Sequence, residues 1–200
     1  MANLNTVGFG LIAAGTIGST PANQGQGKYY IESAYATSIY QGASVLMLAG
    51  YATQGQAVVS KNSIGVFNGC FYNAATTLKP TWSNHFVKGT TPANSENAQA
   101  FVIDSIDQLF VGVGAAALTQ ANIGKTCGLT VVAAGVSTGG STINGQSDSF
   151  LLTGALHATS NQWRVVRTAE DPSNNDIASV NASYVVCHNL NQYRSQVSWH

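Results

Sequence analysis

The chain has 200 residues, only 8 % of them charged, and its eight Lys and Arg balance its eight Asp and Glu. An average soluble domain carries roughly 25 % charge, so like-charge repulsion does not keep this surface apart from its neighbours. The chain also lacks the clustered Lys and Arg that binding to nucleic acid or anionic lipid requires; Gly, Ser, Thr, Asn, Gln and Ala take their place, a surface chemistry suited to partial burial in an assembly.

In chain order, residues 1–28 (MANLNTVGFGLIAAGTIGSTPANQGQGK) are dense in glycine and carry a single charge. Each glycine adds to the entropy lost on ordering, which disfavours an isolated helix or strand. The segment reads as a flexible N-terminal arm that orders on assembly. It has no basic region ahead of its short apolar stretch, so a secretory signal is not expected. No run of the chain approaches the roughly 20 apolar residues of a membrane helix. The expected site of synthesis and assembly is a cytoplasm.

Residues 29–200 read as one β-rich body. YYIESAYATSIYQGASVLMLAGYA, QAVVS, IGVFNGCFY, AFVIDSIDQLFVGV, CGLTVVAAGV, SFLLTGALHA, QWRVVRTA and SYVVCHNL are short runs rich in Val, Ile, Tyr, Phe and Thr. Gly, Asn, Ser and Pro clusters separate them, and no segment sustains a 3.6-residue apolar stripe. The fold class is all-β, a single β-sandwich or β-barrel-like domain with very little helix. A short helical turn is expected over residues 119–123, with Thr119 as cap and Gly124 as stop. Asn144-Gly145, in STGGSTINGQSD, suits a type I′ turn.

The chemistry-bearing residues do not form a recognisable catalytic pattern. Val7 to Ala13 and Gly112 to Ala117 each match a relaxed GxGxxA pattern, yet neither has the strand, the helix and the acidic partner that give the pattern meaning. Asp104 and Asp107 lie three apart, which on a strand directs them to opposite faces and spoils a carboxylate pair. Glu170, Asp171 and Asp176 form an acidic turn without the spacing of a calcium loop. Cys70, Cys127 and Cys187 are far apart with no CxxC spacing, and each sits in an apolar run where a free Cys packs as a small hydrophobe. A Cys–His nucleophile would need Cys70 or Cys187 beside His85 or His188; Cys187 and His188 are neighbours, which a strand points apart. No catalytic residue, metal or cofactor is expected.

The densest block is GVFNGCFYNAATTLKPTWSNHFVKG, residues 65–89. Phe67, Phe71, Tyr72, Trp82 and Phe86 are large enough to anchor an irregular excursion between strands, and Pro80 restricts it. The block reads equally as a core-anchored loop and as a surface touching a neighbouring subunit.

The order IGVFNGCFYNAATTLKPTWSNHF, AFVIDSIDQLFVGV, LTQANIGKTCGLTV, STGGSTINGQSDSFLL, QWRVVRTAEDPSNND and SYVVCHNLNQYR, from Gly65 to Arg194, resembles tailed-bacteriophage capsid decoration (cement) proteins of the type seen in marine and cyanobacterial phages. The resemblance implies a non-enzymatic virion protein on the outer capsid surface, a homotrimer that holds capsomers of the major capsid protein together. On that expectation Val7, Phe9, Leu11, Ile12 and Ile17 are the capsid-binding anchors of the arm, and Trp82, His85 and Phe86 are subunit or capsid contacts. Neither nucleic acid nor membrane is an expected partner. One alternative is another virion component, a head fibre, tail or adhesin subunit that binds a host surface glycan through exposed aromatics among Tyr29, Tyr30, Tyr35 and Tyr40. An enzyme acting on polysaccharide would instead need two converging carboxylates.

Overall fold

The apolar runs fold as thirteen short strands in a computed structural model that describes residues 2–18, 25–55, 62–130 and 139–194. They are β1 (Ile12–Thr16), β2 (Gly27–Ile31), β3 (Ser44–Leu48), β4 (Tyr51–Gln54), β5 (Gly65–Asn73), β6 (Pro80–Ser83) and β7 (Ala98–Ile103). After these come β8 (Gln108–Val113), β9 (Thr126–Cys127), β10 (Leu129–Thr130), β11 (Phe150–Leu151), β12 (Trp163–Thr168) and β13 (Ser183–His188). Helix is confined to single 3-10 turns among the described residues. One of them, Gln120–Asn122, lies where expected, with the Asn122 side chain accepting a hydrogen bond from the Thr119 N–H at 2.9 Å.

The strands form an all-β, sandwich-like fold of antiparallel sheets. One sheet has the order β1-β8-β13-β12-β9, the other β2-β7-β5-β3-β4 with β6 added to β5, and β10 and β11 make a separate antiparallel pair. Leu11, Phe110, Leu129, Leu151, Trp163, Tyr184 and Val186 fill a first core under the five-stranded sheet. The larger sheet curls until β2 lies against β4, enclosing a second core of Ile31, Ile39, Val45, Ile64, Phe67, Cys70, Phe86 and Val102. β5 serves both: Val66 points into the first core and its neighbour Phe67 into the second, the alternation a strand imposes. Burying side chains of this size contributes roughly 1.5–3 kcal/mol each before entropy is counted.

The expected free arm is corrected by this arrangement. β1 is paired with β8, Ile12 opposite Val111 and Ala13 opposite Phe110, in the protein's own five-stranded sheet. Leu11 is 3 % exposed in the first core. Ahead of it, Asn3 Nδ2 donates to the carbonyls of Asp176 (3.0 Å) and Val180 (2.8 Å), its Oδ1 accepts the Asp176 N–H (3.1 Å), and the Asn5 N–H donates to Asn174 Oδ1 (2.7 Å). Glycine does disfavour isolated order here, but the partner that supplies it is β8, about 100 residues away. The boundary expected at residue 28 falls inside β2.

The turn at residues 144–145 also differs from expectation. Of the pair only Gly145 has positive φ, 71°, whereas type I′ requires it at both central residues. The Gly145 N–H donates to the Ser141 carbonyl at 2.7 Å and the Ser141 N–H to the Gln146 carbonyl at 2.9 Å, closing a longer loop. Asn84 Nδ2 fixes that loop by donating to the Asn144 carbonyl at 2.6 Å.

Candidate functional site

The five expected N-terminal anchors divide by burial. Val7 (68 % exposed), Ile12 (48 %) and Ile17 (45 %) present apolar surface to solvent, and Phe9 is half-buried. Leu11 is a core residue and is withdrawn as an anchor, since exposing it means detaching it from the first core. Ile12 lies on β1, an edge strand of its sheet.

The aromatic block divides in the same way. Phe86 is fully buried, exchanges backbone hydrogen bonds with Ile39 (2.9 and 2.8 Å) and closes the second core. It is withdrawn as a contact for another chain. His85 is half-buried and stacks on the buried Tyr40, ring centroids 5.7 Å apart, and burial holds its imidazole below the ordinary value. Trp82 is 54 % exposed on β6. Its indole lies over Gly69, where a Cβ would stand 2.6 Å from the ring, and packs on Phe101 at 5.1 Å.

The groups weighed for chemistry stay apart. Cys70 Sγ donates to the backbone carbonyl of His85 at 3.5 Å, not to its ring, and burial pushes the thiols of Cys70 and Cys127 up to about 12. All three cysteines are free and buried. Cys187 and His188 do point apart: His188 faces Trp163 (4.3 Å) and Phe110 (6.2 Å) in the first core, and neither of its ring nitrogens has a hydrogen-bond partner. Burial lowers this imidazole to about 4.

The carboxylates have local partners. Asp104 Oδ2 accepts the Tyr29 hydroxyl at 2.7 Å, and the Tyr193 hydroxyl donates to Tyr29 at 3.0 Å. Burial, then these two partners, holds the Tyr29 phenol well above its ordinary value. The acids of the 170–181 loop act as turn caps: Asp171 accepts from Asn174 Nδ2 (2.7 Å) and the Ser173 N–H (3.1 Å), Asp176 from Ser179 Oγ (2.8 Å) and the Ala178 N–H (3.1 Å). Glu170 pairs with Arg167 at 3.3 Å on the surface. Among the described residues no three His, Cys, Asp or Glu gather as a metal site, and no helix is long and apolar enough to cross a membrane.

The structure also assembles a surface that was not anticipated as a unit. Register places Lys28 opposite Phe101 and Tyr30 opposite Gln99 across β2 and β7. It places Gly69 opposite Phe101 and Phe71 opposite Gln99 across β7 and β5, and Trp82 opposite Phe71 across β5 and β6. Directly opposed residues share a face, so Tyr30, Phe101, Phe71 and Trp82 stand together on the face turned away from the second core. The five-stranded sheet covers this face only where Ile103 and Val66 meet the first core. Next to that covered end is a cleft of about 340 Å³ lined by Phe9, Ile12, Gln26, Gln41, Asn68 and Gln146, among others. Of the four tyrosines singled out for a binding role, Tyr30 stands on this face (54 % exposed), Tyr29 and Tyr35 pack against the second core, and Tyr40 is buried. The available signal was β7, AQAFVI, in which Ala98 and Ala100 point inward and Phe101 outward, the reverse of the usual size order.

No family model matches the chain, and neither a curated protein nor a solved structure is similar to it.

Proposed function

We propose that the protein is a virion structural component of a tailed phage, a capsid decoration protein that binds the outer face of the head and stabilises contacts between capsomers of the major capsid protein. The reading starts from the sequence resemblance over residues 65–194. The structural observation that supports it is the edge strand β1, IAAGT, which carries no charge and no proline and leaves Ile12 nearly half exposed. Natural edges are normally blunted by Lys, Pro, a bulge or a covering element, and of the first three β1 has only the register shift between Ala13 and Gly15. An edge without Lys or Pro accepts an added strand from a neighbour, with main-chain hydrogen bonds supplying affinity and Val7, Ile12 and Ile17 the apolar contact. Assembly as a homotrimer would multiply one modest contact by effective concentration.

The test is co-sedimentation of the purified protein with heads that lack it, alongside its mass by light scattering. The expected result is saturable binding at a fixed ratio to the shell subunit by a trimer, lost in Ile12→Lys, which places a charge on the edge without touching either core. Deleting the whole segment is the wrong perturbation, because it removes β1 and Leu11 from the fold. Equal binding by the folded Ile12→Lys variant, or none by the parent, refutes the proposal. The uncovered aromatic face favours a second reading, a virion subunit that engages a glycan, in which the parent would bind cells but not heads.

A further inference from the structure

We infer that the face formed by Tyr30, Phe101, Phe71 and Trp82, together with the adjoining cleft, is a binding strip for a neutral saccharide chain. This inference does not depend on the capsid reading.

Its first support is continuity. On one face of β7, Ile103, Phe101 and Gln99 follow at every second position, a run of about 13 Å at roughly 3.3 Å per residue. Ile103 lines the cleft and Phe101 touches Trp82. The cleft and the aromatic surface are therefore two ends of one groove, longer than a monosaccharide needs. About 340 Å³ falls in the range of small-ligand sites.

Its second support is chemistry. A pyranose ring offers flat C–H faces and a rim of hydroxyls that both donate and accept hydrogen bonds. Exposed rings meet the faces, and carboxamides, which likewise donate and accept, meet the rim. Gln26, Gln41, Asn68 and Gln146 line the cleft, and Gln99 stands between Tyr30 and Phe71 on the strip. Gln41 Nε2 donates to Asn68 Oδ1 at 2.9 Å, which sets these two amides relative to each other and leaves Gln41 Oε1 and Asn68 Nδ2 for a ligand. Trp82 packs closely over Gly69 and against Phe101, tilted 52° to that ring, so part of its rotamer freedom is already lost before stacking.

Its third support is charge. β2, β5, β6 and β7 contain no carboxylate, and Lys28 is their only charged residue. Nucleic acid or a polyanionic glycan would call for several cations along the strip, and a basic partner would call for acids. An uncharged chain complements both features.

The experiment is affinity electrophoresis of the full chain through gels containing dextran, mannan, galactomannan or mixed-linkage β-glucan, paired with tryptophan fluorescence titration by the matching hexasaccharides. Of the three tryptophans of the sequence, Trp163 is fully buried, and a Trp199→Phe background leaves Trp82 as the reporter. Retardation in at least one gel, with a blue shift of emission, is expected. Trp82→Ala should weaken binding about tenfold or more, the loss of one stacked ring, with partial rescue by Trp82→Phe. Tyr30→Ala, at the other edge of the strip, guards against a Trp82 variant that disturbs β6. No retardation and no emission change with any of these glycans overturns the inference, as does binding undiminished in both alanine variants. A trimer that dissociates on Trp82→Ala also overturns it, because the face is then covered by a second copy of the chain.

Discussion

His188 ties the stability of the protein to pH through its core. The ring is packed against Trp163 and Phe110 with no protein hydrogen-bond partner at either nitrogen, so burial among apolar rings opposes a charge on it. Burial lowers its pKa from the ordinary 6.5 to about 4. The unfolded chain therefore binds a proton near pH 6.5 that the folded chain refuses until about pH 4. Stability from this group is fully present above pH 6.5 and is lost as pH falls through that window, by about 3 kcal/mol in all. That is a large share of the roughly 5–15 kcal/mol that holds a domain folded. The assay is urea unfolding at intervals from pH 7.5 to 4 for the parent and for His188→Leu, with the difference between the two curves cancelling the carboxylates common to both. The leucine variant should lie within about 1.5 kcal/mol of the parent at pH 7 and gain on it steadily as the solution is acidified. Curves that stay parallel to within about 1 kcal/mol would show that the imidazole is hydrated or paired in the folded state and refute the reasoning.

Leu11→Ala should cost about 2–5 kcal/mol and raise amide exchange along β1 and β8 before the rest of the chain. A free arm would show no such effect. Native protein should resist Ellman's reagent at Cys70 and Cys127, whose thiols burial raises to about 12, while urea should release all three thiols of the sequence. Fast native labelling of Cys70 would contradict its packing. Gly69→Ala should displace the Trp82 indole at a cost of about 1–3 kcal/mol, read in a Trp199→Phe background as a shift in the Trp82 emission together with a lower unfolding midpoint.

The β class of this protein is written locally, in runs such as SYVVCH and AFVI whose branched and aromatic residues favour extended backbone. The turn at residues 120–122 is local too, because Thr119 and Gly124 carry its signals within five positions. β1 is different. Its glycines argue against order at short range, and the residues that overrule them, Phe110 and Val111, lie on β8. Phe86 and Trp82 look alike in sequence, four residues apart in one aromatic block. Only the pairing of Phe86 with Ile39, and of Trp82 with the outward side of β5, separates a core residue from a surface one. The strip was hidden for the same reason, since its four rings come from four strands that register alone brings side by side. The acids and cysteines were easier to judge, because turn caps and buried thiols both follow from the short stretches around them.

The distance between β1 and its partner has a consequence for biosynthesis. Ile12 pairs with Val111, so on a ribosome adding roughly 5–20 residues each second, the first strand waits on the order of 5–20 s for the one that completes it. β2 waits for β7 over a shorter stretch, with Tyr29 pairing with Ala100. Throughout that interval Val7, Phe9, Leu11 and Ile12 have no native place to go, and nascent chains on neighbouring ribosomes expose the same sticky segment at the same moment. Dense polysomes therefore favour pairing between copies before pairing within one. Slowing initiation or lowering temperature should raise the yield of correctly folded chains more than any change made after release.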